Sequence, residues 1–548
     1  MSTHSHPCAN QHYDFIVVGA GSSGCALAGT LAANSKHSVL LIEAGSNNRS
    51  ALVSMPKGIA KLVNKPAYTW VYQIDQKRTA DTEQPEVWIR GKGLGGSSAI
   101  NGMIWSRGQA ADYDAWQQQG CTGWDWQTFN SALKAIEDHQ LGPAANRGTG
   151  GQVTISPGPF RYPLVDDMLS AAQQQGLNLV DDLNDSHEER VGLYSHNTKR
   201  GRRVSAAKAF IDPIKHRKNL TIATHTFVRK VLFEGNKAVG VEVSIEDKTH
   251  AIYCNKEIIL SAGALETPRL LQLSGIGPQR VLEYAGVNVV AHSPDVGRRM
   301  REHLAFAMSF RLNQDRIGNQ HCFYGLGLAK HILQQQLFGT GALSFGPFEV
   351  GGFAKIGDAQ WPNLQLYLSG YVFKLSDDNH PVPLSEIDKQ PGLSLYGQLL
   401  DLQSESEIKI ISPDPNIPAV IEPNWLSHPQ DQQRAIQSLK YMRQLAQQPA
   451  LSQHIDHEMV PGPLVQTDEE ILEAFKRLAT CGLHATGSCR MGGDEQSVLD
   501  PELKVRGVTG LRVADCSAMP GNISGNTNAP AMALGYRAAQ IIQDHWAS

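Results

Sequence analysis

The sequence predicts an α/β protein that opens on a Rossmann-type β-α-β unit, and three observations carry that expectation. Tyr13 to Val18 is apolar and β-rich, Gly24 to Ala33 is small and helix-like, and Ser38 to Ile42 is β-rich again. Gly19, Gly21 and Gly24 stand between the first two runs in G-x-G-x-x-G spacing. Glu43 closes the last run, and Ser22, Ser23 and Ala44 flank these groups. A strand, a glycine turn and a helix in this order suit a dinucleotide. The first glycine permits a tight turn, the second lets the backbone approach pyrophosphate, and the third lets helix and strand pack closely. The helix N-terminus turns free N–H groups and a positive partial charge toward phosphate. Glu43 can accept hydrogen bonds from the adenosine ribose and would repel a 2′-phosphate, which disfavours NADP. This unit alone leaves FAD against NAD unsettled.

Composition bounds the rest. The chain has 548 residues and 49 − 53 = −4 formal charges, so no global basic field points to nucleic acid. Hydrophobic residues at 41% and charged residues at 19% exclude a disordered chain and leave ample core. The cysteines Cys8, Cys25, Cys121, Cys254, Cys322, Cys481, Cys489 and Cys516 form no C-x-x-C pair, which reads as reduced thiols in a cytosolic protein without a zinc site. The run from Phe15 to Ala33 approaches the ~20 residues of a membrane span. Its leader, however, lacks Lys and Arg and ends in Asp14, its glycines follow the dinucleotide spacing, and SVLLIEAG comes next. The expectation is a soluble cytoplasmic protein with no transmembrane segment, compatible with a peripheral place at the inner membrane.

Further along, loops and helices alternate from about Gly151 to Ser195, and short β-like runs fill Leu220 to Ser261 with a hairpin signal at Gly235-Asn236. From Asn313 to Leu400 strong motifs give way to aromatics, among them Phe323, Phe345, Phe348, Phe353, Tyr367, Tyr371 and Tyr396. The basic cluster Lys199-Arg200-Gly201-Arg202-Arg203 reads as a solvated loop or strand end. Motif density returns after Cys481.

The later motifs decide the cofactor. RGKGLGGSSAINGMIWSRG (Arg90 to Gly108), SAGALETPRLLQLSGIG (Ser261 to Gly277), DVGRRMREHL (Asp295 to Leu304), HATGSCRMG (His484 to Gly492), LRVADCSAMP (Leu511 to Pro520) and GNTNAPAMALG (Gly525 to Gly535) occur in that order. This set resembles the glucose–methanol–choline family of FAD-dependent oxidoreductases, and most of all its choline-dehydrogenase-like and primary-alcohol dehydrogenase branches. The resemblance implies a Rossmann-type FAD-binding domain with a discontinuous α+β substrate-binding domain on an antiparallel sheet. It divides the chain into 1–155, 196–310 and 478–548 for FAD and 156–195 and 311–477 for substrate. It implies that Arg90, Gly91, Gly95, Gly96, Ser97, Asn101, Gly102 and Met103 wrap the cofactor, with Val228 offering backbone hydrogen bonds to adenine. Ser261, Ala262, Gly263, Ala514, Asp515, Asn526 and Asn528 complete the implied cofactor set. Relatives that attach FAD covalently carry histidine just before the asparagine; here Ile100 precedes Asn101, so FAD is expected to be non-covalent.

The resemblance also implies a catalytic pair, His484 and Asn526. An imidazole with a reference pKa near ~6.5 suits removal of an alcohol proton while hydride leaves for flavin N5. An amide donor can hydrogen-bond the oxygen as charge develops on it. The C-terminal helix is expected to start at Asn528-Ala529-Pro530 and to aim its N-terminus at the flavin. His303 is expected to act structurally, and no metal site is expected at Cys481 and Cys489. The implied reaction is oxidation of an apolar or aromatic primary alcohol to the aldehyde. The final acceptor stays open among quinone, another carrier and oxygen. Choline remains open because Glu349 and the aromatics could cage a cation. Two further activities on this scaffold are cyanohydrin cleavage and light-driven fatty acid decarboxylation.

Overall fold

The computed structural model describes residues 11–34, 36–74, 86–158, 160–376 and 386–547. Cys8 and most of the leader lie outside them. The run from Phe15 to Ala33 is a strand, His12–Val18, a turn and a helix, Ser22–Asn34. The helix begins two residues before the expected Gly24, because the turn closes between Gly19 and Gly21. No helix among the described residues is long and apolar enough to cross a membrane.

Seven strands make the first sheet, in the order Leu220–Ala223, Val39–Ile42, His12–Val18, Lys248–Leu260, Lys237–Ile245 and Phe227–Glu234, with Leu511–Val513 also on Lys248–Leu260. The central pairings are parallel and the Phe227–Ile245 hairpin is antiparallel. Parallel strands covered on both faces need unbroken apolar runs, and Phe15 to Val18 and Val39 to Ile42 are all buried. The hairpin turns at Gly235-Asn236 as expected, with Gly235 at φ +60°. Lys248–Leu260 serves two partners on one edge. Its first half pairs with Lys237–Ile245 and its last three residues pair with Leu511–Val513. The parallel strands therefore finish on one edge, at Val18, Ile42, Ala223, Leu260 and Val513. Ligands bind beyond such carboxyl ends.

Eight strands make the second sheet, ordered Ile455–Val460, Leu304–Leu312, Gly392–Leu399, Leu364–Ser369, Val350–Ala354, Arg190–Leu193 and Asn178–Leu179, with Thr480–Cys481 also on Leu304–Leu312. The pairings are antiparallel except at Asn178–Leu179. The stretch from Gly151 to Ser195, expected as loops and helices, thus also supplies strands to this sheet; they are too short for alternation to betray them. Side chains alternate across a strand. Leu364, Leu366, Leu368, Leu395, Leu399, Phe306 and Met308 join Leu439, Met442 and Phe475 of the helices Pro429–Ala446 and Asp468–Leu478 in one core. Their neighbours Gln365, Tyr367, Tyr396, Gln398 and Ala305 fall on the opposite face, toward the first sheet.

Candidate active site

A cavity of about 510 Å³ runs from the carboxyl edge of the first sheet to the polar face of the second. Its first end is backbone. Gly19 has φ +98°, and a Cβ there would lie 2.4 Å from the Ser261 carbonyl oxygen. A Cβ on Gly24 would lie 1.9 Å from the Gly19 oxygen. Gly21 has nothing within 4 Å and opens on the cavity, as does Gly263 at φ +90°. The 91–103 segment folds over this turn: Gly95 N–H donates to the Ala20 carbonyl, and a Cβ on Gly96 would lie 2.7 Å from Gly21 Cα. The buried Nδ2 of Asn528 has no protein partner, while its Oδ1 accepts from Ser22. Bare backbone plus an unsatisfied amide at a helix N-terminus fits a pyrophosphate-bearing dinucleotide.

Most residues expected at the cofactor line this cavity: Ser22, Ser23, Glu43, Ala44, Arg90, Gly91, Ser97, Asn101, Gly102, Met103, Val228, Ser261, Ala262, Asp515, Asn526 and Asn528. Gly24, Gly95 and Ala514 lie behind the wall. Gly24 is packed on Gly19, Gly95 on Ser205, and the Ala514 carbonyl accepts from Ser261 Oγ. Glu43 accepts the N–H groups of Ala20, Gly45 and Gly93, so it ties three turns together at the cavity wall. Asp515 accepts from Gly263 N–H, Thr267 and Ser517, joining the C-terminal strand end to the 261–263 turn. The strand register slips between Val228 and Lys230, a bulge beside the cavity wall. Asn101 Oδ1 accepts from Met103 N–H and from Arg203. Arg203 is thus a buried cation, bonded also to the carbonyls of Val53, Pro56 and Ser98. The solvated reading of the basic cluster holds for Lys199, Arg200 and Arg202, which are exposed, and fails for Arg203.

At the other end His484 and Asn526 meet: Asn526 Nδ2 lies 3.1 Å from His484 Nε2 and donates to the Tyr367 hydroxyl at 3.2 Å. A closed ring of hydrogen bonds continues from them. Gln365 Nε2 donates to Asn526 Oδ1 at 3.0 Å, Gln398 Nε2 donates to Gln365 Oε1 at 3.3 Å, and Gln398 Nε2 lies 3.2 Å from His303 Nδ1. His303 Nδ1 in turn lies 3.1 Å from His484 Nδ1. One backbone group sets the polarity of this ring. Tyr194 gives its proton to the Leu366 carbonyl, so its oxygen accepts from Gln365 Nε2. An amide nitrogen only donates, so His303 Nδ1 carries a lone pair and its proton sits on Nε2. His484 Nδ1 must then hold the proton in that contact. His484 Nε2 is left unprotonated, facing the cavity.

Burial, then the neighbouring His303 and Arg90, hold His484 well below the usual histidine range, and burial pushes His303 down to about 3. Both imidazoles are therefore neutral at neutral pH. Glu302 supports them from behind. Its carboxylate accepts the N–H groups of His303 and His484, the Cys481 thiol and Arg90. Sequence reasoning reached His303 and missed Gln365 and Gln398. Their signal was present as single amides inside mostly apolar, buried strands, LQLYLS and GLSLYGQL.

Glu349 does not face the cavity. It pairs with Lys57 at 3.2 Å and accepts from Tyr162 at 2.9 Å and Asn319 at 3.2 Å. Phe345, Phe323 and Tyr371 surround that lysine. The expected carboxylate for a caged cation is therefore already neutralised, and its chain neighbours Pro347 and Phe348 form the wall. Of the aromatics expected to shape a pocket, Phe348, Tyr367 and Tyr396 line it. Among the described residues the carboxylates that do line it are Glu43, Asp515 and Glu266, the last bonded to Tyr72 and Arg269.

Known proteins resemble this chain over almost its whole length. The GMC oxidoreductase family models match residues 13–305 and 403–535. Alcohol dehydrogenase [acceptor] of Pseudomonas putida is 37% identical over 97% of this chain and 95% of its own length. Human mitochondrial choline dehydrogenase is 34% identical over 98% of this chain and 90% of its own. The crystal structure of pyridoxine 4-oxidase from Mesorbium loti superposes with a TM-score of 0.86 at 28% identity, covering 97% of this chain and 99% of that one. The expected fold class, an FAD-binding Rossmann-type domain beside a largely antiparallel second sheet, is thereby borne out. The chain belongs to the GMC oxidoreductase family, whose FAD-dependent members oxidise CH–OH donors.

Proposed function

We propose that this protein oxidises a neutral primary alcohol with an apolar or aromatic body to the aldehyde, using His484 as base and Asn526 as the donor to the alcohol oxygen. The observation that carries this reading is the 3.1 Å contact of His484 Nε2 with the Asn526 amide at the end of the cavity, with His484 Nδ1 engaged by His303. Bound FAD supplies the hydride acceptor. A hydroxyl entering between the two side chains would give its proton to His484 Nε2 and accept from Asn526 Nδ2. Electron density then rises on the oxygen as the C–H bond breaks, and a fixed donor stabilises it. The ring through Gln365, Gln398 and His303 keeps the base in the competent tautomer without adding charge.

The wall near the pair supports an uncharged substrate. Phe348 packs on Tyr367 and Tyr396 with ring centroids 5.1 Å apart in both pairs, and Ala305 and Leu483 line the cavity beside them. The absence of a free carboxylate among the described residues of this wall disfavours choline. We also propose that the substrate-binding part comprises 156–195 and 311–477, together with the strands Leu304–Leu312 and Thr480–Cys481 that pair into its sheet and that the expected bounds left wholly or partly with the FAD part, that FAD is held without a covalent bond at Ile100, and that the enzyme works in the cytoplasm. Anaerobic mixing of the purified holoprotein with benzyl-type, straight-chain, polyol and choline substrates tests the reading. Benzyl-type or straight-chain alcohols should bleach the visible flavin band, and admitting air then separates oxidase from dehydrogenase. A band that no alcohol bleaches would overturn alcohol oxidation; bleaching by choline alone would overturn the neutral substrate.

A further inference from the structure

The helix Gly325–Phe338 carries its apolar side outward. Leu326, Leu333, Leu337 and Phe338 are 90%, 60%, 70% and 73% exposed. At 3.6 residues per turn the three leucines fall within about 40° of one another and form one stripe. A surface helix ordinarily turns such a stripe toward the core. Here the positions facing the protein are His331 and Gln335. Charge supplies a second, independent observation. Gln335 Nε2 donates to the Gly201 carbonyl at 2.9 Å, and a Cβ on Gly339 would lie 2.3 Å from the Arg200 oxygen. The hairpin of Thr198–Lys199 and Arg202–Arg203 thus abuts the end of this helix, with Lys199, Arg200 and Arg202 exposed and Lys330 exposed on the helix itself. The sequence has no Asp or Glu between Glu189 and Asp212, nor between Asp315 and Glu349. The apolar stripe is therefore bordered by cations and by no acid of either segment.

We propose that this face docks on an anionic bilayer, the leucines at the acyl boundary and the cations among the headgroups. That combination of apolar face and flanking Lys and Arg is what interfacial helices use. The helix has 14 residues, about 21 Å, so it lies in the membrane plane rather than crossing ~30 Å of hydrocarbon. His331 packs edge-on against Phe160, which stacks on Phe345 close to Pro347 of the cavity wall. The docked helix is thereby linked through Phe160 and Phe345 to the segment that supplies Pro347 and Phe348 to the cavity wall. The proposal stands independently of which alcohol is oxidised.

Co-sedimentation of the holoprotein with vesicles tests it. Vesicles of phosphatidylcholine with about 30 mol% phosphatidylglycerol should retain the protein about tenfold better than phosphatidylcholine alone near 0.1 M salt, and the advantage should shrink near 0.5 M. Leu333→Glu/Leu337→Glu and Lys199→Glu/Arg200→Glu/Arg202→Glu should each remove about tenfold of the binding, with the flavin spectrum and its anaerobic bleaching unchanged. Wild-type binding no better than that of these variants would overturn the proposal. So would a wild-type dimer in sedimentation velocity that the leucine variant dissolves, since a second copy would then cover the stripe.

Discussion

The two ends of the cavity are built in opposite ways. At the first sheet the wall is backbone, its shape set by where a Cβ cannot go: Gly24 against Gly19, Gly19 against Ser261, Gly96 against Gly21. At the second sheet the wall is side chain, delivered by strand alternation that sends leucines to one core and Gln365, Tyr367, Tyr396 and Gln398 to the other face. A backbone site is written locally, because each glycine answers to a neighbour a few residues away or to a single facing turn. A side-chain ring such as His484–Asn526–Gln365–Gln398–His303 has no local signature, since its members come from five separate segments.

The comparison can be broken most sharply at the ring. His484→Ala should slow anaerobic flavin reduction by roughly 10²–10⁴-fold, about 3–5 kcal/mol, while the FAD spectrum stays. A change of only a few-fold would remove His484 from the chemistry. The backbone end should respond in the reverse manner, through binding. Gly24→Val drives side-chain carbons into the Gly19 carbonyl and should lower apoprotein stability by about 3 kcal/mol or more along with FAD affinity. Gly21→Ala adds a Cβ that meets nothing in the protein within 4 Å, so the apoprotein melt should hold while flavin titration shows at least about a hundredfold weaker binding. Equal loss of stability in both variants would contradict the division of labour between these two glycines.

Ring polarity offers a finer test. Gln398→Leu removes the donor to His303 and should cost about tenfold in flavin reduction. Gln398→Glu presents an acceptor instead, so His303 Nδ1 must donate and His484 is driven to carry its proton on Nε2. The expected loss is about a hundredfold, with FAD binding kept. If glutamate proves milder than leucine, the tautomer argument is wrong. The smallest effect is in pH. With His484 well below 6.5, flavin reduction should stay on its plateau through pH 6.5 and fall only as the base protonates at lower pH. The same depression destabilises the fold in acid, because the unfolded chain takes up a proton that the folded chain refuses. His303 and the buried His196, both pushed down to about 3, should each cost about 1.0 kcal/mol between pH 6.5 and 5.5, the slope approaching about 1.4 kcal/mol per pH unit further down. Urea melts at pH 6.5 and 5.5 measure this, and His303→Gln should flatten the slope.

Local sequence was enough for a dinucleotide cofactor, the first β-α-β unit, the 235–236 hairpin and the start of the C-terminal helix at Asn528. Each rests on short-range demands: a glycine that must exceed the φ range of other residues, an apolar run buried on both faces, a proline in the first turn of a helix. What the scattered polar residues do was settled by the packing of the chain in three dimensions. It turned Glu349 away from the cavity onto Lys57, drew Arg203 out of a basic surface cluster to hold Asn101, and moved Gly95 and Ala514 behind the wall they had been expected to form. It also closed the ring that leaves His484 Nε2 bare. The physical reason is that a titratable or amide side chain takes its meaning from its hydrogen-bond partners, and these partners lie more than a hundred residues apart in the chain: Arg203 with Asn101 by 102, Glu349 with Lys57 by 292, His484 with His303 by 181.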